Sequence, residues 1–111
     1  MSQDPSDGRR RAIATLGDLG LSTYAARVLV ALVVIEEGTA AEISEASEVP
    51  RARVYDAAEE LRGRGLVVVA GSDPRQFEGV PPDTIEERLR REYERRIDDL
   101  AVALSAIDED E

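Results

Sequence analysis

At 111 residues the chain is long enough for one domain with an extra element and a modest single core. It has no cysteine and no histidine, which removes disulfides, thiolate nucleophiles, and the commonest metal ligand and general base. A net charge of −10, from 24 acidic and 14 basic residues with every basic one arginine, argues against indiscriminate nucleic-acid binding.

No apolar run reaches the roughly 20 residues that a membrane span requires. The polar N-terminus has no signal-peptide core. A cytoplasmic protein is expected. Residues 1–8 are rich in Ser, Asp, Pro and Gly and are expected to be disordered. Residues 9–19 form a short helix with Ile13 and Leu16 on one side, and Gly20 ends it. Ser22 can cap a second helix that runs to about Glu36. Three apolar stripes run along it: Tyr24, Val28, Leu32 and Ile35; Ala25, Leu29 and Val33; Ala26, Val30 and Val34. A helix apolar nearly all round is buried on most sides, as the centre of a core or shared with a partner subunit.

Residues 39–80 read as a helix-turn-helix followed by a two-stranded wing. Thr39 and Glu42 match a capping box, after which Ala40, Ile43 and Ala46 face inward. Val49 and Pro50 fill the turn, and residues 51–64 form a second helix. Val54, Ala58 and Leu61 recur at helical spacing and define its buried face. Its outward face carries Arg51, Ala52, Tyr55, Asp56 and Glu59, with Arg53 and Arg64 at the flanks. Gly65 stops the helix, 66–69 is a strand, 71–74 a turn and 75–80 a returning strand. A helix pair of this size places one helix in a DNA major groove, and the wing adds a second point of contact.

Pro81, Pro82 and Asp83 punctuate the wing, and Pro82 suits the first turn of a helix running to about Ile107. Ile85 and Leu89 continue the packing of the domain. From there Tyr93, Ile97, Leu100, Leu104 and Ile107 alternate by four and three, a coiled-coil seam of roughly two heptads. Glu86/Arg90, Glu87/Arg91 and Glu92/Arg96 flank it at ion-pair spacing. Asp108 opens a frayed acidic tail. The fold class expected is mainly α with a small β-wing: a winged helix-turn-helix over 9–81 and a long C-terminal dimerisation helix over 82–107, between a disordered 1–8 and an acidic 108–111.

The stretches Leu19-Gly-Leu-Ser-Thr-Tyr24 and Val49-Pro-Arg-Ala-Arg-Val-Tyr-Asp56 resemble the winged-helix domain of the TrmB family of archaeal transcription regulators. Residues 61–69, with Gly65-Leu66-Val67 at their centre, are similar to that family's helix-to-wing junction. The resemblance covers about residues 12–107 and implies DNA binding by a dimer. Many larger family members carry a C-terminal sugar-sensing domain, and none is expected here, nor therefore a sugar response. Glu48 stands where helix-turn-helix turns commonly have glycine. A left-handed conformation costs a non-glycine residue about 1 kcal/mol, so a slightly different turn is expected. The acidic, lysine-free composition also resembles salt-adapted proteins of halophilic archaea.

The candidate DNA contacts are Arg51, Ala52, Arg53, Tyr55, Arg75, Thr39 and the basic cluster Arg9, Arg10 and Arg11. Arg51 and Arg53 open the helix that enters the groove, and arginine grips two acceptors on guanine or a phosphate. Their alternative is ion pairing with Glu48 or Asp56. Tyr55 either hydrogen-bonds DNA or packs against the first helix of the motif. Arg75 either reaches the DNA or pairs with Asp73 in the wing turn. Arg9, Arg10 and Arg11 either follow the DNA backbone as an arm or form a solvated helix face. Thr39 could donate to a phosphate, although capping alone accounts for it. There is no nucleophile–base set, phosphate-cradling loop or metal cluster, so neither catalysis nor a cofactor is expected. The expected partners are double-stranded DNA and a second copy of the chain, with no membrane and with K+ or Na+ bound at high salt. The alternative is a winged-helix protein-interaction module in a transcription or chromatin assembly, using the acids Asp56, Glu59 and Glu60.

Overall fold

The computed structural model describes residues 5–109. Helix α1 spans Pro5–Asp18, α2 Thr23–Ile35, α3 Ala40–Ser47 and α4 Arg51–Gly63. Strands β1 Glu37–Gly38, β2 Val67–Ala70 and β3 Gln76–Gly79 make one sheet, and α5 spans Pro82–Glu109. The mainly helical winged architecture and the long last helix are as expected.

Helix α2 is the centre of the core. Residues 25, 26 and 28 to 32 are all buried along it. It packs against α1, α3, α4 and the sheet. Of its apolar residues Tyr24 in the first turn and Val33 and Val34 in the last are exposed, at 41% to 51%. Phe77 of β3 is the largest fully buried side chain, in one cluster with Leu29, Leu32, Ile43, Val54 and Leu61. The face Val54, Ala58, Leu61 is buried as its spacing predicts. Gly79 lets β3 approach α2, because a Cβ there would lie 3.0 Å from the Leu32 Cβ.

Several expectations need correction. The first helix begins at Pro5, so residues 5–8 are helical rather than disordered, and residues 1–4 lie outside the described residues. Proline suits a helix's first turn, and Asp7 favours its positive end. The wing is three-stranded, in the order β1-β3-β2, because Gly38 pairs with Phe77 and Glu37 with Glu78. The β2–β3 ladder runs from Val67 opposite Gly79 to Ala70 opposite Gln76, one residue later than expected for β2. The acidic tail stays helical through Glu109.

Glu48 adopts the left-handed conformation, at φ 61° and ψ 19°, rather than avoiding it. Its N–H donates to the Ser44 carbonyl at 2.9 Å. The Ser44 hydroxyl donates to the Val49 carbonyl at 2.6 Å, and the Ser47 hydroxyl accepts from the Val49 N–H at 3.2 Å. The turn between α3 and α4 thus keeps its hydrogen bonds, which offset the strain at Glu48.

Helix α5 divides into a root and an arm. At the root Ile85 and Leu89 are buried in the domain. The arm, from Tyr93 on, is exposed at almost every position. The radius of gyration is 16.7 Å, whereas a compact domain of this length would have roughly 13 Å. The protruding arm accounts for the excess.

Candidate nucleic-acid interface

The start of α4 is held rigidly but left chemically open. Val54 anchors its first turns in the core. Pro50 precedes it and supplies no side-chain cap. The N–H of Arg53 donates to the Pro50 carbonyl at 2.7 Å. Those of Arg51 and Ala52 are free for an anion, which the helix dipole favours at this end. Arg51, Ala52 and Arg53 are all exposed.

The wing folds back towards this end. A groove of about 300 Å³ is lined by Thr39, Arg51, Tyr55, Arg75 and Phe77, with the wing turn Ser72, Asp73 and Pro74 along its rim. Tyr55 lies one turn after Arg51 on the same side of α4. Its ring meets Phe77 edge to face, with centroids 6.2 Å apart and planes at 70°. Tyr55 therefore packs on the wing, while the residue stays 42% exposed. That contact orients the phenol and ties the wing to the helix.

No ion pair among the described residues engages Arg51, Arg53 or Arg75. The possible pairings with Glu48, Asp56 and Asp73 are not formed. Thr39 makes its capping box: its hydroxyl accepts from the Glu42 N–H at 3.2 Å, and the Glu42 carboxylate accepts from the Thr39 N–H at 2.9 Å. The Thr39 hydroxyl proton remains free to donate into the groove. Ser72 and Asp73 line the same groove, and neither was among the candidate DNA contacts. Only the fold places a turn residue beside Arg51.

Other basic residues lie elsewhere. Arg64, placed at the flank of the reading face by the sequence, turns to the far side. Its guanidinium donates to Glu92 of α5 and to the Gly20 carbonyl, both at 2.9 Å. Arg9, Arg10 and Arg11 sit on α1, which packs on α2, and none lines the groove. Arg10 pairs with Asp7. Along α5, Tyr93, Ile97, Leu100, Leu104 and Ile107 are 49% to 62% exposed and form an unpartnered apolar stripe. Among the described residues no group of acidic side chains could hold a metal, and no helix is long and apolar enough to cross a membrane.

A three-helix core, a helix-turn-helix with an open second helix and a wing packed beside it define a winged helix-turn-helix protein. The profile of the family described as "sugar-specific transcriptional regulator TrmB" matches residues 16–83. The chain belongs to the TrmB family, a family of transcription regulators rather than enzymes. It is 34% identical over 77 residues to the DNA-binding HTH-type transcriptional repressor TrmBL2 of Thermococcus kodakarensis, covering 69% of this chain and 29% of that protein. It is 25% identical over 92 residues to the HTH-type sugar sensing transcriptional regulator TrmBL1 of Pyrococcus furiosus, covering 83% of this chain and 27% of that protein. The chain thus spans less than a third of the length of these curated relatives. The solved structure of TrmBL2, described as an archaeal chromatin protein with a novel mode of DNA binding, superposes with a TM-score of 0.85. It is 27% identical, over 92% of this chain and 41% of that one. A MarR family regulator from Silicibacter pomeroyi, at 16% identity and a TM-score of 0.56 over 94% of this chain and 79% of that one, shares the fold.

Proposed function

We propose that this protein is a sequence-specific DNA-binding transcription regulator that acts in the cytoplasm as a homodimer. The observation that carries the reading is the groove where Arg51, Tyr55, Arg75 and Thr39 meet, with both arginines free of ion pairs. An unpaired arginine at the first turn of the helix presents its fork to a base edge or a phosphate. The free N–H groups of Arg51 and Ala52 add donors for a phosphate. Arg75 reaches from the wing to the neighbouring backbone or minor groove. The names of the relatives, a DNA-binding repressor and a chromatin protein with its own mode of DNA binding, support the same reading.

The arm supplies the dimer. A lone helix that exposes Ile97, Leu100 and Leu104 in one stripe is unfavourable in water. Pairing two arms buries the stripes and sets the distance between two reading helices. Half-sites then lie about one turn of DNA apart, roughly 34 Å. The acidic stretch of α4 offers a protein partner less than its composition implies. Glu60 accepts from the Ser22 N–H at 3.0 Å, and Glu59 pairs with Arg62 at 3.2 Å.

The test is Arg51→Ala and Arg53→Ala, singly and together, in a binding assay against a selected operator. A base-reading arginine costs about 1–3 kcal/mol and relaxes the preference at one base pair, whereas a phosphate-binding one weakens all sequences alike. Neither change should alter the melting temperature. Operator affinity unchanged in the double variant would remove both residues from the interface.

A further inference from the structure

We propose that the groove between the end of α4 and residues 88–99 of α5 is a binding site for a phosphate-bearing small molecule. Five arginines converge there: Arg64 from just past α4, and Arg88, Arg91, Arg95 and Arg96 from α5. Only two carboxylates share the lining, Glu92 and Asp99, which leaves an excess of three positive charges. That is an unexpected concentration in a chain of net charge −10. The groove holds about 690 Å³, within the roughly 300–1,000 Å³ of small-molecule sites.

The hydrogen bonding leaves the cations under-used. One carboxylate, Glu92, serves two guanidiniums, Arg64 at 2.9 Å and Arg96 at 3.0 Å. Arg88 donates to the Gly65 carbonyl, which adds no compensating charge. Arg91 is balanced by Glu87, in an exposed pair at 2.8 Å. Arg95 has no ion pair among the described residues. Several forked donors around one concavity match the oxygens of a phosphate group, and with Glu87 counted against Arg91 the remaining excess of two charges matches a diphosphate better than a single carboxylate.

The same geometry selects a compact ligand over a nucleic acid. Glu94, Asp98 and Asp99 follow on α5, so a duplex laid along the helix would bring its phosphates against carboxylates. The groove also lies at the far end of the 13-residue α4, about 18 Å along its axis from Arg51. Pairing of the arms would leave it open, because Arg91 and Arg95 lie about 160–200° around α5 from Tyr93 at 3.6 residues per turn. The proposal does not depend on DNA binding.

The test is a titration of the full chain with inorganic pyrophosphate, followed by calorimetry in about 0.15 M KCl, where diffuse attraction is screened within about 8 Å. One saturable site per chain is expected. Arg91→Gln with Arg95→Gln leaves the Arg64–Glu92 contact in place and should weaken binding by at least about tenfold, the loss expected for a charge-assisted hydrogen bond. The control pair Arg9→Gln with Arg11→Gln removes the same charge from α1 and should change affinity less than about twofold, since charges there are screened from the groove. Should the first double variant fold poorly, Arg95→Gln alone, which breaks no ion pair, should still weaken binding at least threefold or so. No saturable binding in wild type, or equal losses in the two double variants, would overturn the site. Displacement of pyrophosphate by a short duplex in the Arg51→Ala, Arg53→Ala variant would make it a nucleic-acid surface instead.

Discussion

The head of the molecule and its arm solve opposite problems with the same residue types. In the head, residues 21 to 77 sink their apolar side chains around α2 and leave Arg51, Arg53 and Arg75 without ion pairs. Along α5, arginines 90, 91 and 96 are each paired with a glutamate one turn earlier, while the apolar residues from Tyr93 onward stay half exposed. Exposed pairs at this spacing contribute only about 0.3–0.5 kcal/mol each. They keep a long helix soluble and helical without building a core. The head has its packing and leaves Arg51, Arg53 and Arg75 unpaired; the arm pairs some of its arginines, though not Arg95, and leaves its apolar stripe exposed. Under the proposed function each region is completed by a partner, and the two partners differ in chemistry.

The largest effects should separate the two regions. Phe77→Ala removes the biggest fully buried side chain and the ring under Tyr55, and should destabilise the head by about 3–5 kcal/mol, read by urea unfolding. Leu100→Asp should leave the head's melting transition in place, because Leu100 is 51% exposed and outside the core. It should nevertheless abolish dimerisation, seen as a halved mass in light scattering, and with it tight operator binding. Wild type running as a monomer at micromolar concentration would break the account of the arm.

Much of this division was legible from the sequence, because it rests on short-range periodicity. Val54, Ala58 and Leu61 marked the buried face of α4, and the four-three alternation from Tyr93 marked the stripe of the arm. Features that depend on distant partners were not. Strand β1 has only two residues, and its pairing of Gly38 with Phe77 joins segments 39 residues apart in number. Arg64 flanks the outward face of α4 by position, but its partners are Gly20 and Glu92. The convergence of Arg75 with Arg51 is likewise a product of the wing's fold, although both were singled out by residue type. The early start of α1 is a different case: Pro5 at the first turn and Asp7 after it are local signals, outweighed by the low hydrophobicity of the segment.

A smaller effect sharpens the role of one groove residue. Thr39→Ala removes the hydroxyl that accepts from the Glu42 N–H and should cost about 1 kcal/mol of stability. If the hydroxyl also donates to DNA, operator affinity should fall by more than the loss of folded protein accounts for. Thr39→Ser keeps both functions and should restore stability and affinity together. Affinity loss in Thr39→Ala that vanishes after correction for the folded fraction would leave Thr39 as a cap alone.

The smallest expected effect is a slope, and it tests how an acidic chain meets a polyanion. DNA-binding proteins ordinarily lose affinity as salt rises, because binding releases the cations condensed on DNA. Here Glu48 and Asp56 are exposed near the open end of α4 and have no ion pair among the described residues. As a phosphate approaches, those carboxylates must be screened or bridged by K+ or Na+, and that uptake offsets the release. The Debye length also falls to about 3 Å at 1 M salt, which mutes repulsion between two anionic bodies. Affinity should therefore fall only weakly with KCl, or rise. Glu59 differs from Asp56, because Arg62 already balances its charge at 3.2 Å. Asp56→Asn should thus restore more of the usual negative slope than Glu59→Gln. A titration from low to molar KCl reads both. A steep decline in wild type, like that of a basic repressor, would show that the carboxylates take no part in the interface and would remove the case for bound cations.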